Sequence, residues 1–151
     1  METNDSICEL RVKGTWAGDV KTDLQIRDFP LLSLDDTEEL GGKDEAPNPL
    51  EFILASLNGC NGIMIPLVAK ECNFSFSAIS FDSSGIVDTR GFMGEPDICT
   101  HFKSIHHVIT IHTTEPDHRL QELKEQVEAR CPIFNLLIDA NIHLTSEWVK
   151  I

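Results

Sequence analysis

The sequence predicts an α+β domain in which antiparallel sheets pack around one long buried central helix and a second, amphipathic helix. Three observations carry that expectation. Strand-like alternation runs from Ile7 to Phe29 and again from Phe102 to Thr113; an apolar run from Pro49 to Cys72 covers every side of a helix; and Leu120, Leu123, Val127 and Cys131 form a stripe of helical spacing. At 151 residues the chain suits a single domain over 1–151, and a chain of this size buries roughly 70% of its unfolded surface without staples.

The elements follow in order. Leu10 and Val12 on one arm, Val20, Leu24 and Ile26 on the other, with Ala17-Gly18-Asp19 between, read as a hairpin. Pro30 to Asn48 is too rich in Asp, Glu, Gly and Pro for an element and reads as a surface loop. The long helix has a marked start: Asn48 as N-cap, Pro49 at the first helical position, and Glu51 at capping-box spacing. Pro66 should kink it. Glu51, Ser56, Asn58, Asn61 and Pro66 interrupt its apolar run, which argues against a span of the ~20 apolar residues a bilayer needs. Phe74 to Phe81, Gly85-Ile86-Val87 and Phe102 to Thr113 suggest three further strands, with turns at Ser83-Ser84-Gly85 and Gly94-Glu95-Pro96-Asp97. The amphipathic helix runs from Pro116 to Cys131, Pro132 opens a short apolar helix, and Ile142, Leu144 and Trp148 line a closing strand.

Composition excludes several functions. With 25 acidic and 12 basic residues the formal charge is −13, so a phosphate backbone is repelled, and nucleic acid is not an expected partner. Met1 to Glu9 has neither a basic flank nor an apolar run, so it does not read as a secretory signal, and a cytoplasmic protein without a membrane partner is expected. His106 and His107 point to opposite faces of a strand, and His112 lies about 20 Å from His106 along it. Cys99 and His101 share a face but lack two further ligands. No metal or cofactor is expected, and neither a G-x-S-x-G elbow nor a Gly-rich phosphate loop is found.

Five cysteines at irregular spacings fit neither a disulfide framework nor a zinc pattern. Two stand out. Cys60 lies in Asn58-Gly59-Cys60-Asn61-Gly62, where each glycine costs the helix about 1 kcal/mol against alanine; glycines here would let a backbone or a substrate approach the sulfur, although a buried free thiol is also an ordinary core residue. Cys131 directly precedes Pro132 and is a natural N-cap, a position that lowers a thiol pKa.

Together these segments resemble the OsmC/Ohr family of osmotically inducible and organic hydroperoxide resistance proteins. The resemblance runs through Gly41-Gly42, Pro47-Asn48-Pro49-Leu50-Glu51, Ala55 to Cys60, Asp88-Thr89-Arg90-Gly91-Phe92, Cys131-Pro132-Ile133 and Trp148. It implies a thiol peroxidase in which Cys60 attacks an organic or hydrogen peroxide as thiolate, becomes a sulfenic acid and condenses with Cys131 to a disulfide that an external dithiol reduces. It also implies an arginine beside Cys60, held by a carboxylate. The stretch that carries that arginine in the Ohr branch here reads Thr15-Trp16-Ala17-Gly18-Asp19; Arg27, expected on the next strand, is the nearest substitute and Arg90 the second choice. Glu51 stands one position from the Ohr carboxylate, where Leu50 sits, and it equally fits a plain capping box. On one helix Glu51 and Cys60 lie about 180° apart and roughly 13 Å along the axis. Glu51 can therefore serve a Cys60 site only from a second subunit, which agrees with the homodimer the resemblance implies. The rival readings are a module that binds a small hydrophobic ligand without turnover and a thiol redox sensor.

Overall fold

The computed structural model describes residues 6–151; Met1 to Asp5, part of the stretch read above for a signal, lie outside it. The chain divides into two compact units between Phe52 and Ile53.

The first unit is a three-stranded antiparallel sheet in the order β1 (Lys13–Gly18), β2 (Lys21–Gln25), β3 (Leu32–Leu34). The expected hairpin is present but starts at Lys13, and its bulge falls between Trp16 and Gly18. β3 corrects the loop expected from Pro30 to Asn48: the short Leu32-Ser33-Leu34 alternation is enough to pair with the free edge of β2, whatever the composition around it. Beyond β3 the chain folds back on Asp35, which is buried and whose carboxylate accepts the backbone N–H groups of Lys43 and Glu45 at 3.1 and 3.2 Å. Gly42 is obligatory there, because a Cβ would stand 1.9 Å from the Asp36 carbonyl oxygen.

Helix α1 runs unbroken from Pro49 to Glu71, passing through Pro66, and its first turn belongs to the first unit. The capping box is formed: Asn48 N–H donates to Glu51 Oε2 and Glu51 N–H to Asn48 Oδ1, each at 2.9 Å. By length and by the mean hydropathy of an 18-residue window (1.6) α1 is long and apolar enough to cross a membrane, more so than the sequence reading allowed; Leu57, Asn61, Ile65, Val68 and Ala69 pack inside.

In the second unit α1 is followed by β4 (Ala78–Val87), the short α2 (Thr89–Phe92), β5 (Phe102–His112), α3 (Asp117–Arg130), α4 (Pro132–Asp139) and β6 (His143–Lys150). The sheet order is β4-β5-β6, with β4–β5 antiparallel and β5–β6 parallel. The antiparallel expectation fails at this last pairing, since α3 and α4 form the long crossover that a parallel neighbour requires. A second correction concerns Ser83-Ser84-Gly85, expected as a turn; these residues continue β4, opposite His107, His106 and Ile105. Glycine is needed at 85 because the ring of Phe102 covers it, 2.4 Å from where a Cβ would be. The core joins Ile65, Val68 and Ala69 of α1, Ile109 and Ile111 of β5, and Leu120, Leu123 and Val127 of α3, the stripe the helical spacing foretold.

Candidate active site

Cys131 ends α3 and caps α4, because Pro132 cannot extend the first helix but fits the first turn of the second. Its side chain is fully buried, and its Sγ accepts the N–H of Phe134 at 3.4 Å. From α1, Cys60 meets it: the two Sγ atoms are 2.9 Å apart, with the Cys131 thiol donating to Cys60. Both cysteines are free thiols. The N-cap position was expected to lower the Cys131 pKa, but burial and the bond to Cys60 outweigh the N–H groups of Phe134 and Ile133, and the thiol is pushed up to about 11.

Two asparagines hold the Cys60 turn of α1. Asn61, 1% exposed, donates its Nδ2 to the Leu57 carbonyl at 3.1 Å and lies 4.0 Å from Cys131 Sγ. Asn58 Oδ1 accepts the Ser83 hydroxyl of β4 at 2.6 Å, and Ser83 Oγ lies 2.7 Å from Nδ1 of the buried His107. With the Ser83 hydroxyl donating to Asn58, the hydrogen-bond network assigns the ring proton of His107 to Nδ1, and Nε2 is a buried acceptor without a partner among the described residues. Burial, with a smaller contribution from the charge of His106, pushes the imidazole down to about 4, and the ring, stacked on Phe81, is neutral near pH 7. Sequence reasoning missed this shell. Asn58 and Asn61 entered only as interruptions of an apolar helix, Ser83 as a turn and His107 as a rejected metal ligand; the available signal was two amides three residues apart on a helix otherwise apolar all round.

The remaining expected residues have partners of their own. Arg27 is not on a strand: it occupies a turn after β2 at φ 49°, its guanidinium 4.6 Å from the centre of the Phe29 ring. Glu51 spends its carboxylate in the capping box. Arg90 is gripped by a carboxylate, with Nε and Nη2 on the two oxygens of Asp88 at 2.9 and 2.6 Å, and Lys103 joining at 2.9 Å. These partners hold the Asp88 carboxyl well below the usual carboxylate range. The glycines beside Cys60 admit no tight approach within the chain, since a Cβ at Gly59 meets nothing within 4 Å and one at Gly62 only the Phe81 ring at 3.6 Å.

A long helix laid on a mixed sheet, with its cysteine against a second cysteine at a helix start, defines an α+β protein with a paired-thiol centre. The OsmC-like protein family model matches residues 42–147, and the chain belongs to that family. The fold recurs in an OsmC-like protein of Mycoplasma pneumoniae (TM-score 0.79, 18% identity, covering 94% of this chain and 98% of that one). It also recurs in an organic hydroperoxide resistance protein of Elizabethkingia anophelis, solved with thiocyanate from the crystallant (0.77, 14%, 97% and 99%). A third is an organic hydroperoxide resistance protein OsmC of Legionella pneumophila, described as a predicted redox protein and regulator of sulfide bond formation (0.70, 19%, 95% and 98%). No curated protein sequence matches the chain.

Proposed function

We propose that the chain is a thiol-dependent peroxidase acting on organic or hydrogen peroxides through Cys60 and Cys131. The observation that carries this reading is the 2.9 Å contact between a part-exposed and a fully buried sulfur. Cys60 thiolate attacks the outer peroxide oxygen, the O–O bond breaks, the alkoxide or hydroxide leaves and takes a proton, and Cys60 is left as sulfenic acid. Cys131 then attacks that sulfur; the sulfenic oxygen departs as water with the Cys131 proton, and the disulfide forms. An external dithiol returns both thiols and leaves as its own disulfide. The organic hydroperoxide resistance proteins that share the fold support the peroxide as substrate class.

The reading includes a homodimer and two assisting side chains. Ile53, Ile63 and Leu67 of α1 are 38, 70 and 46% exposed, an apolar face that a second α1 would cover. Glu51 of the second subunit would serve the Cys60 site, and Arg27 would supply the cation that favours a thiolate. The test is stopped-flow peroxide consumption with dithiothreitol as reductant, and mass spectrometry of the oxidised chain. A 60–131 disulfide, turnover abolished in Cys60→Ser and impaired in Cys131→Ser, is expected. Retention of a small hydrophobic ligand without turnover would favour a binding module instead. Arg27→Ala and Glu51→Ala should each slow sulfenate formation at least tenfold; loss in Arg90→Ala alone would transfer the cation's role to the Asp88-held arginine.

A further inference from the structure

Burying an amide costs free energy unless its hydrogen bonds are made, and Asn61 is 1% exposed. One Nδ2 hydrogen is satisfied by the Leu57 carbonyl at 3.1 Å. The other is left for Cys131 Sγ, at 4.0 Å, a weak bond to a neutral thiol. The same contact gains strength when the sulfur carries charge, because bonds to ionised groups are shorter and roughly twice as strong. Phe134 N–H, at 3.4 Å, points at the same atom. Cys131 is thus a sulfur in a dry site with two N–H donors, at rest bearing a proton that it shares with Cys60.

We propose that Asn61 is a catalytic residue of the thiol–disulfide steps, its side-chain amide stabilising the thiolate of Cys131 that exists only in transit. The proposal rests on the reading of Cys60 and Cys131 as a redox pair and adds the direction of the chemistry. Cys131 is fully buried and Cys60 is not, so an incoming dithiol reaches Cys60. The new bond forms between one reductant sulfur and Cys60, the Cys60–Cys131 bond breaks, and Cys131 leaves with the electron pair. It departs into the Asn61 and Phe134 donors and is then protonated. The second reductant thiolate attacks its partner sulfur in the mixed disulfide and releases Cys60 as thiolate. In the oxidising direction Cys131 passes through the same thiolate as it attacks.

This assignment has a signature that a structural role lacks. Reduced Cys131 is a neutral thiol near pH 7 and oxidised Cys131 a neutral disulfide, so a donor that favours the thiolate speeds both directions and leaves the equilibrium untouched. The experiment is exchange of the full-length protein with reduced and with oxidised dithiothreitol at pH 7.5, followed by quenched-flow alkylation. A lost charge-assisted bond changes the thiolate population roughly tenfold, and about half of that on a logarithmic scale is returned by the higher nucleophilicity of a more basic thiolate. Asn61→Leu should therefore slow both rate constants by about threefold with an unchanged equilibrium constant. Asn61→Ser keeps the bond to the Leu57 carbonyl one turn earlier but falls short of the sulfur; it should slow both directions similarly and guards against a Leu variant that fails to fold. Unchanged rates in Asn61→Ser, or an altered equilibrium constant with one direction unaffected, would overturn the proposal. Peroxide treatment of the unaltered chain tests the parent reading separately: exchange that depends on Asn61 without a peroxide-driven 60–131 disulfide would sink the peroxidase and leave the role of Asn61 standing.

Discussion

His107 shows what a buried, neutral imidazole does to stability. Its folded pKa is about 4 against an ordinary 6.5, so the unfolded chain takes up a proton that the folded one refuses as pH falls through that interval. Stability is therefore highest above about 6.5 and declines toward 4, by up to about 3 kcal/mol from this residue. Urea midpoints at pH 7.5 and 5 should reveal the decline, and His107→Gln, which keeps a donor for Ser83 without titrating, should flatten it; a full decline in the variant would assign the effect to other groups. The role of His107 was hidden in the sequence because its strand position was legible but its partner was not. Ser83 pairs opposite it only once β4 runs straight through what looked like a turn, where Gly85 passes under the ring of Phe102, 17 positions away.

At the level of elements, periodicity carried most of the information. The α3 stripe became the core, and the Asn48–Glu51 box is formed as spaced; Asn48→Ala should cost about 1 kcal/mol of stability in a thermal melt. What escaped was β3, three residues long, and the parallel β6, since a strand's partner is set by the crossover and not by its own pattern. The helical stripe turned Cys131 inward as it is found, but the N-cap argument taken alone gave the wrong sign for its pKa, because burial outweighs the helix start. Gly59 tests the helix itself. A methyl group there meets nothing within the chain, so Gly59→Ala should stabilise α1 by roughly 0.5–1 kcal/mol. If a substrate or a second helix approaches that open side, the same variant should lose turnover while it gains stability, and a variant that gains both would show the space to be idle.

For the whole molecule, the decisive property is how many chains make one working unit. α1 is apolar all round, yet only one side of it is buried within a single chain, and the outward side carries Ile53, Ile63 and Leu67 beside Cys60. A solvated face of that kind is destabilising to leave in water, and covering it with a second copy brings together two molecules that each carry −13. Apolar attraction and like-charge repulsion then oppose one another, and salt screens only the second. Sedimentation equilibrium should accordingly show a two-chain mass whose dissociation constant falls as ionic strength rises, the reverse of an association held by ion pairs. Ile63→Glu places a carboxylate in the middle of that face and should give a one-chain species. The proposed reading gives Cys60 the Glu51 of the second subunit, so the separated Ile63→Glu chains should also form sulfenate at least tenfold more slowly. A one-chain species of the unaltered protein that retains full peroxide turnover would remove both the dimer and the assistance assigned to Glu51.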